Sequence, residues 1–125
     1  DQPHALVAAR LSAEFAIGVR HGCFCAHPYL TRLLGLSAEA VGRYRDDVRS
    51  GDRRAMPGAV RASASLASTS EDVDRLAAAL ARLTDGSPPP LEYVQDPHTG
   101  DFHLPGWTAA WSASDRGVGS GCARG

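Results

Sequence analysis

At 125 residues the chain is long enough for one domain with its own core and short for a complete cofactor enzyme. Its formal charge is -1, and all 13 basic residues are arginines scattered from Arg10 to Arg124; without a basic block to grip phosphate backbones, nucleic acid is not an expected partner. Three cysteines, two of them only two positions apart, make no disulfide framework and fit a reducing cytoplasm, and the opening Asp1-Gln2-Pro3 carries neither a signal peptide nor a membrane span.

From His4 to Ala16, Val7, Ala8, Leu11 and Phe15 recur at helical spacing, and Gly18 follows as a stop. Ile17 to Arg20 reads as a short strand running into His21 and Gly22, with the CFCAH segment as a loop. Pro28 suits the first turn of a short second helix with an apolar side of Leu30, Leu33 and Leu34, closed by Gly35. Ser37 is placed to cap a third helix, whose buried stripe would be Ala40, Val41, Tyr44 and Val48, with Glu39 and Arg43 on the wet side and Gly51 at its end. The mixed charges of Arg43 to Arg54 suit a solvated face.

Met56, Pro57 and Gly58 mark a turn before a strand over Ala59 to Ser65. Val60, Ala62 and Ala64 share one face of it, and Arg61, Ser63 and Ser65 the other. Ser68 with Glu71, or Thr69 with Asp72, forms a capping-box pattern for a helix sustained by Val73, Leu76, Ala77, Leu80 and Leu83 until Asp85, Gly86 and three prolines end it. Leu91 to Gln95 and Phe102 to Leu104 read as a hairpin around the DPHTG turn, with Trp107 and Trp111 beyond as core or interface cover. The stretch from Ser112 reads as a flexible, Gly-rich tail. The predicted architecture is α+β, with helices over a small, mainly antiparallel sheet. Its expected divisions are residues 1–85 as the main domain, 86–111 as a Pro-rich linker and hairpin extension, and 112–125 as the tail.

Within the loop, His21, Cys23, Cys25 and His27 place four soft metal ligands at every second position. On extended backbone His21 and His27 would stand about 20 Å apart, far too wide for ligands about 2 Å from one ion, and the usual CxxC spacing is missing, so no metal site is expected. A redox role for Cys23 with Cys25 is weak, because a CxC pair is sterically tight. Cys122 has no assigned role.

Three stretches in a fixed order, GVRHGCFCAHP from Gly18 to Pro28, VRAS from Val60 to Ser63 and TSEDVDRL from Thr69 to Leu76, resemble the small C-terminal domain of class V aminotransferases and cysteine desulfurases, pyridoxal-phosphate enzymes of fold type I. The resemblance spans roughly Pro3 to Leu83. It implies that Arg61 binds the α-carboxylate of an amino-acid substrate, that Arg20 assists at the same site, and that Cys25 occupies the place of the persulfide-forming nucleophile. Many desulfurases have two histidines before that cysteine. Cys23 and Phe24 stand there in this chain, which is closer to aminotransferase-like members.

The chain has no lysine, so it has no side-chain amine to hold pyridoxal phosphate as a Schiff base. The expectation is therefore the C-terminal part of a longer cytoplasmic transferase, in keeping with a start that lacks methionine. A missing N-terminal large domain would supply the cofactor lysine, the whole enzyme would be a homodimer, and this chain alone would be inactive. The rival readings are a free-standing α+β binding module derived from such an enzyme, and a thiol redox or metal-binding protein.

Overall fold

A computed structural model describes residues 2–107. Its elements run α1 (His4–Phe15), β1 (Arg20–Gly22), α2 (His27–Leu33), α3 (Ala38–Arg49), β2 (Ala59–Arg61), α4 (Ser70–Thr84), β3 (Val94–Gln95) and β4 (Phe102–His103). This is a small α+β domain, and the element order is the one the sequence predicts. The sheet is divided into two separate antiparallel ribbons, β1 with β2 and β3 with β4. Tail residues, Trp111 and Cys122 lie outside the described residues. Among the described residues no helix is long and apolar enough to cross a membrane.

Helix α1 is the element against which α4, the β1–β2 ribbon and β4 all pack. Leu11 is fully enclosed, with Ala79 and Leu83 of α4 around it and Val7, Phe15, Val60 and Leu76 closing the cluster. The small side chains Ala5 and Ala8 are also buried, which lets neighbouring backbone approach this helix closely.

An ion pair lies inside this apolar setting. Arg10 Nε donates to Glu14 Oε1 at 2.7 Å and Nη2 to Oε2 at 3.1 Å, a two-pronged contact between side chains only 3% and 8% exposed. Further partners come from outside the helix. Arg10 Nη1 donates to Gln2 Oε1, Gln2 Nε2 donates to the Leu83 carbonyl at 2.7 Å, and the Tyr93 hydroxyl donates to Glu14 Oε1 at 3.0 Å. Leu83 lies in the last turn of α4, where carbonyls have no helical partner, so Gln2 satisfies one of them. One network thus joins α1, the end of α4 and the approach to β3.

The hairpin is docked on a second side. Arg53 N–H donates to the Pro97 carbonyl, and Gln95 Nε2 donates to the carbonyls of Arg54 and Gly100. Gly100 is required there: its φ is +80° and a Cβ would stand 2.6 Å from the Arg53 carbonyl oxygen.

Several boundaries differ from the sequence reading. The first strand begins at Arg20, not Ile17, because Ala16 turns into the left-handed region and the Ile17 N–H bonds back to the Leu11 carbonyl. The second strand stops at Arg61, not Ser65: β1 offers only three partners, and Ser65 and Ser68 satisfy one another's backbone in a local turn. In α2 only Leu30 is buried, while Leu33 at 63% and the following Leu34 are exposed. The apolar stripe of α3 is half-buried and none of its residues is enclosed. In α4 the inward line is Leu76, Ala79 and Leu83; Val73, Ala77 and Leu80 face out. Its cap is the Thr69–Asp72 pair, with Thr69 N–H donating to Asp72 and Asp72 N–H to Thr69 Oγ1.

Hydrogen bonds from Arg10 hold the Glu14 carboxyl below its usual range, against the opposing pull of burial. Its stabilising contribution is therefore complete above the ordinary glutamate pKa and is lost as pH falls through the depressed value. Burial, then the bond to Glu14, pushes Tyr93 from 10.0 up to about 12, so its contribution is complete below pH 10 and is lost on the way to 12. Glu14→Gln leaves a buried guanidinium without its counter-charge. Urea unfolding at neutral pH is expected to show a loss of about 1.5 to 3 kcal/mol, the worth of hydrogen bonds to a charged group; a loss below about 0.5 kcal/mol would mean that the pair is structurally idle.

Candidate functional site

The β1–β2 ribbon pairs Arg20 with Arg61, His21 with Val60 and Gly22 with Ala59. Side chains alternate across a strand, so the pairing sorts them by face. Val60 turns into the Leu11 core and His21 turns toward His4 of α1, with ring centroids 5.3 Å apart. Arg20 and Arg61 therefore share the opposite, exposed face. The two arginines singled out from sequence motifs about forty residues apart are direct cross-strand neighbours.

The segment after β1 folds as a tight turn in which the Ala26 N–H donates to the Cys23 carbonyl at 2.8 Å. Phe24 and Cys25 occupy consecutive left-handed positions, with φ of 51° and 58°. Such geometry is unfavourable for residues with a Cβ. It lifts the Cys25 side chain into solvent, leaves Cys23 half-buried, and brings Phe24 under Arg61, whose guanidinium carbon lies 4.9 Å from the ring centroid. A cation over an aromatic face is attracted to it, and the stacking leaves the guanidinium edges available for in-plane acceptors.

Behind this loop is an open cleft of about 810 Å³, lined among others by His4, Arg20, His21, Cys23, Phe24 and Cys25. His21 Nε2 lies 3.2 Å from Asp101 Oδ1, which ties the ribbon to the hairpin turn. His4 Nε2 lies 3.0 Å from the Met56 carbonyl, an acceptor only, so that nitrogen carries the proton. Burial is the main cause that lowers the His4 pKa, with the neighbouring His21 adding to it. The ring also explains Gly58, where a Cβ would stand 2.5 Å from His4 Nε2.

Of the four residues that suggested a ligand run, His21 points to α1 and the hairpin, Cys23 is half-buried, and Cys25 and His27 are exposed. Among the described residues no three His, Cys, Asp or Glu side chains converge on a common point. The His4–His21–Asp101 cluster and the Phe24–Arg61 stack escape sequence reasoning, since they join residues from separate elements and loops that are far apart along the chain.

Chemically, the exposed ribbon face offers two guanidinium forks beside an exposed thiol. That suits binding of a carboxylate or a similar anion. Comparison of the chain with protein-family models, with curated proteins and with solved structures yields no match.

The left-handed turn makes its own prediction. Cys25→Gly removes the Cβ from a position at φ 58° and is expected to raise stability by about 1 kcal/mol, read from the urea midpoint. A lowered midpoint would show that the turn stores no strain at that residue.

Proposed function

We propose that this chain is the C-terminal part of a pyridoxal-phosphate-dependent enzyme of the class V aminotransferase and cysteine desulfurase type, acting on an amino acid. The observation that carries the reading is the placement of Arg20 opposite Arg61, with Arg61 stacked on Phe24 beside the Cys25 loop. A stacked guanidinium presents two parallel N–H donors in one plane, which both binds a carboxylate and fixes its orientation. Such a group sets the direction of an amino acid's Cα relative to whatever reacts with it.

The residues of this chain do not fit the cofactor, because there is no lysine side chain to form its imine. In this reading a large domain of the parent holds pyridoxal phosphate, and no step through it belongs to the residues described. Their part is to bind the substrate carboxylate and to shape the mouth of the site. In a desulfurase parent, Cys25 is the thiol positioned to take up sulfur. The exposed apolar side chains of Tyr29, Leu33 and Leu34, on and just after α2, support a covering neighbour. The parent is expected to be a cytoplasmic homodimer, and this chain by itself catalytically silent.

The second reading is a free-standing α+β binding module. It is favoured by the closed network of Gln2, Arg10, Glu14, Leu83 and Tyr93, which completes a core from this chain's own groups.

Arg61→Ala in the full-length parent is expected to raise KM for the amino acid and lower kcat/KM by about 10- to 100-fold, the worth of a charge-assisted contact. Arg61→Lys should not restore it, because a point charge cannot reproduce the planar fork. Unchanged amino-acid affinity in Arg61→Ala would remove the carboxylate role.

A further inference from the structure

We propose that the β1–β2 ribbon takes a ligand with two anionic groups, a small dicarboxylate in preference to a monocarboxylate. The proposal rests on the carboxylate reading of Arg61 and extends it to substrate class.

Directly opposed residues of an antiparallel pair have Cα atoms about 4.5 to 5.5 Å apart and side chains on the same face, and like charges in that relation repel. Here both residues are arginines, both are exposed, and among the described residues neither is paired with a carboxylate. Arg10, Arg49, Arg54 and Arg75 each have an acid within 2.6 to 3.6 Å. Arg20 and Arg61, like Arg32, Arg43, Arg45, Arg53 and Arg82, have none among the described residues, and they alone of these are directly opposed across a strand pair. Asp101, which lines the ribbon's cleft, is engaged by His21. The strand register thus places two arginines without acidic partners opposite one another on the exposed face of the ribbon.

Arg61 is fixed by its stack on Phe24, and its free edges accommodate one carboxylate in the two-pronged mode. That leaves Arg20 as a second cation on the same face of the ribbon; it lines the cleft with Phe24, Cys25, Arg53 and Arg54, whereas Arg61 stands outside that lining, on Phe24 at the cleft's edge. A monocarboxylate neutralises one of the two charges. A dicarboxylate neutralises both, one group on Arg61 and the other on Arg20, with its hydrocarbon middle between them.

The test is calorimetric titration of the 125-residue chain with succinate, propionate and inorganic phosphate at low ionic strength, repeated on Arg20→Gln and Arg61→Gln. Far-UV circular dichroism checks that both variants, changed only at exposed positions, retain the fold. Succinate is expected to bind at least about tenfold more tightly than propionate, each added charge-assisted contact being worth a factor of that order. Arg20→Gln should bring succinate down to the propionate level, and Arg61→Gln should abolish binding of both acids. Equal binding of succinate and propionate, both dependent on Arg61, would overturn the dicarboxylate proposal and leave the carboxylate reading standing. Phosphate binding more tightly than succinate would overturn it in favour of one multiply charged centre. Failure of either acid to bind, or binding indifferent to Arg61→Gln, would remove both the proposal and the reading beneath it.

Discussion

The Arg10–Glu14 ion pair is buried in a domain whose enclosed apolar core is little more than Leu11, Leu30, Leu83 and a few alanines. A pair in such a place is tolerable only when every charge and hydrogen-bonding atom is answered, since each ion has given up its hydration. Gln2 accepts from the guanidinium, Tyr93 donates to the carboxylate, and Gln2 in turn donates to the Leu83 carbonyl, so the pair and its partners link three separate segments. The same demand sets the orientation of α1, and α1 sets the orientation of everything that packs on it.

The exposed arginines follow from that orientation. With Val60 taken into the Leu11 core and His21 held against His4 and Asp101, the ribbon has one rotation available, and it turns Arg20 and Arg61 outward together. The strained turn at Phe24 and Cys25 completes the arrangement by sliding an aromatic ring beneath one of them. Two like charges side by side and a left-handed pair of ordinary residues are both unfavourable locally. Proteins concentrate such features where binding compensates for them.

Much of this was legible from periodicity and punctuation. The α1 stripe, the Thr69–Asp72 cap of α4 and the turn between β3 and β4 follow from side-chain spacing and local hydrogen-bonding chemistry, and each lies where those rules put it. Rules of that kind act within a few residues. They overextended β2 because they could not register that β1 has only three residues to pair with it. They buried Leu33, Leu34, Val73 and Leu80 because helical period marks an apolar face without saying whether the domain is large enough to cover it. At the site, the motifs pointed to Arg20, Cys25 and Arg61 separately. Their adjacency depends on strand register, and the role of Phe24 as a ring beneath Arg61 depends on two positive φ angles at residues that give no local signal for them.

In the function proposed above, the β1–β2 ribbon binds a carboxylate in the service of a cofactor held by another part of the same polypeptide. The coding DNA immediately upstream of Asp1 tests it most directly. The account predicts an open reading frame continuing into a large α/β domain that carries a lysine at a strand end. A start codon adjacent to Asp1 would contradict it and leave the ribbon as the binding surface of a protein that works without that cofactor.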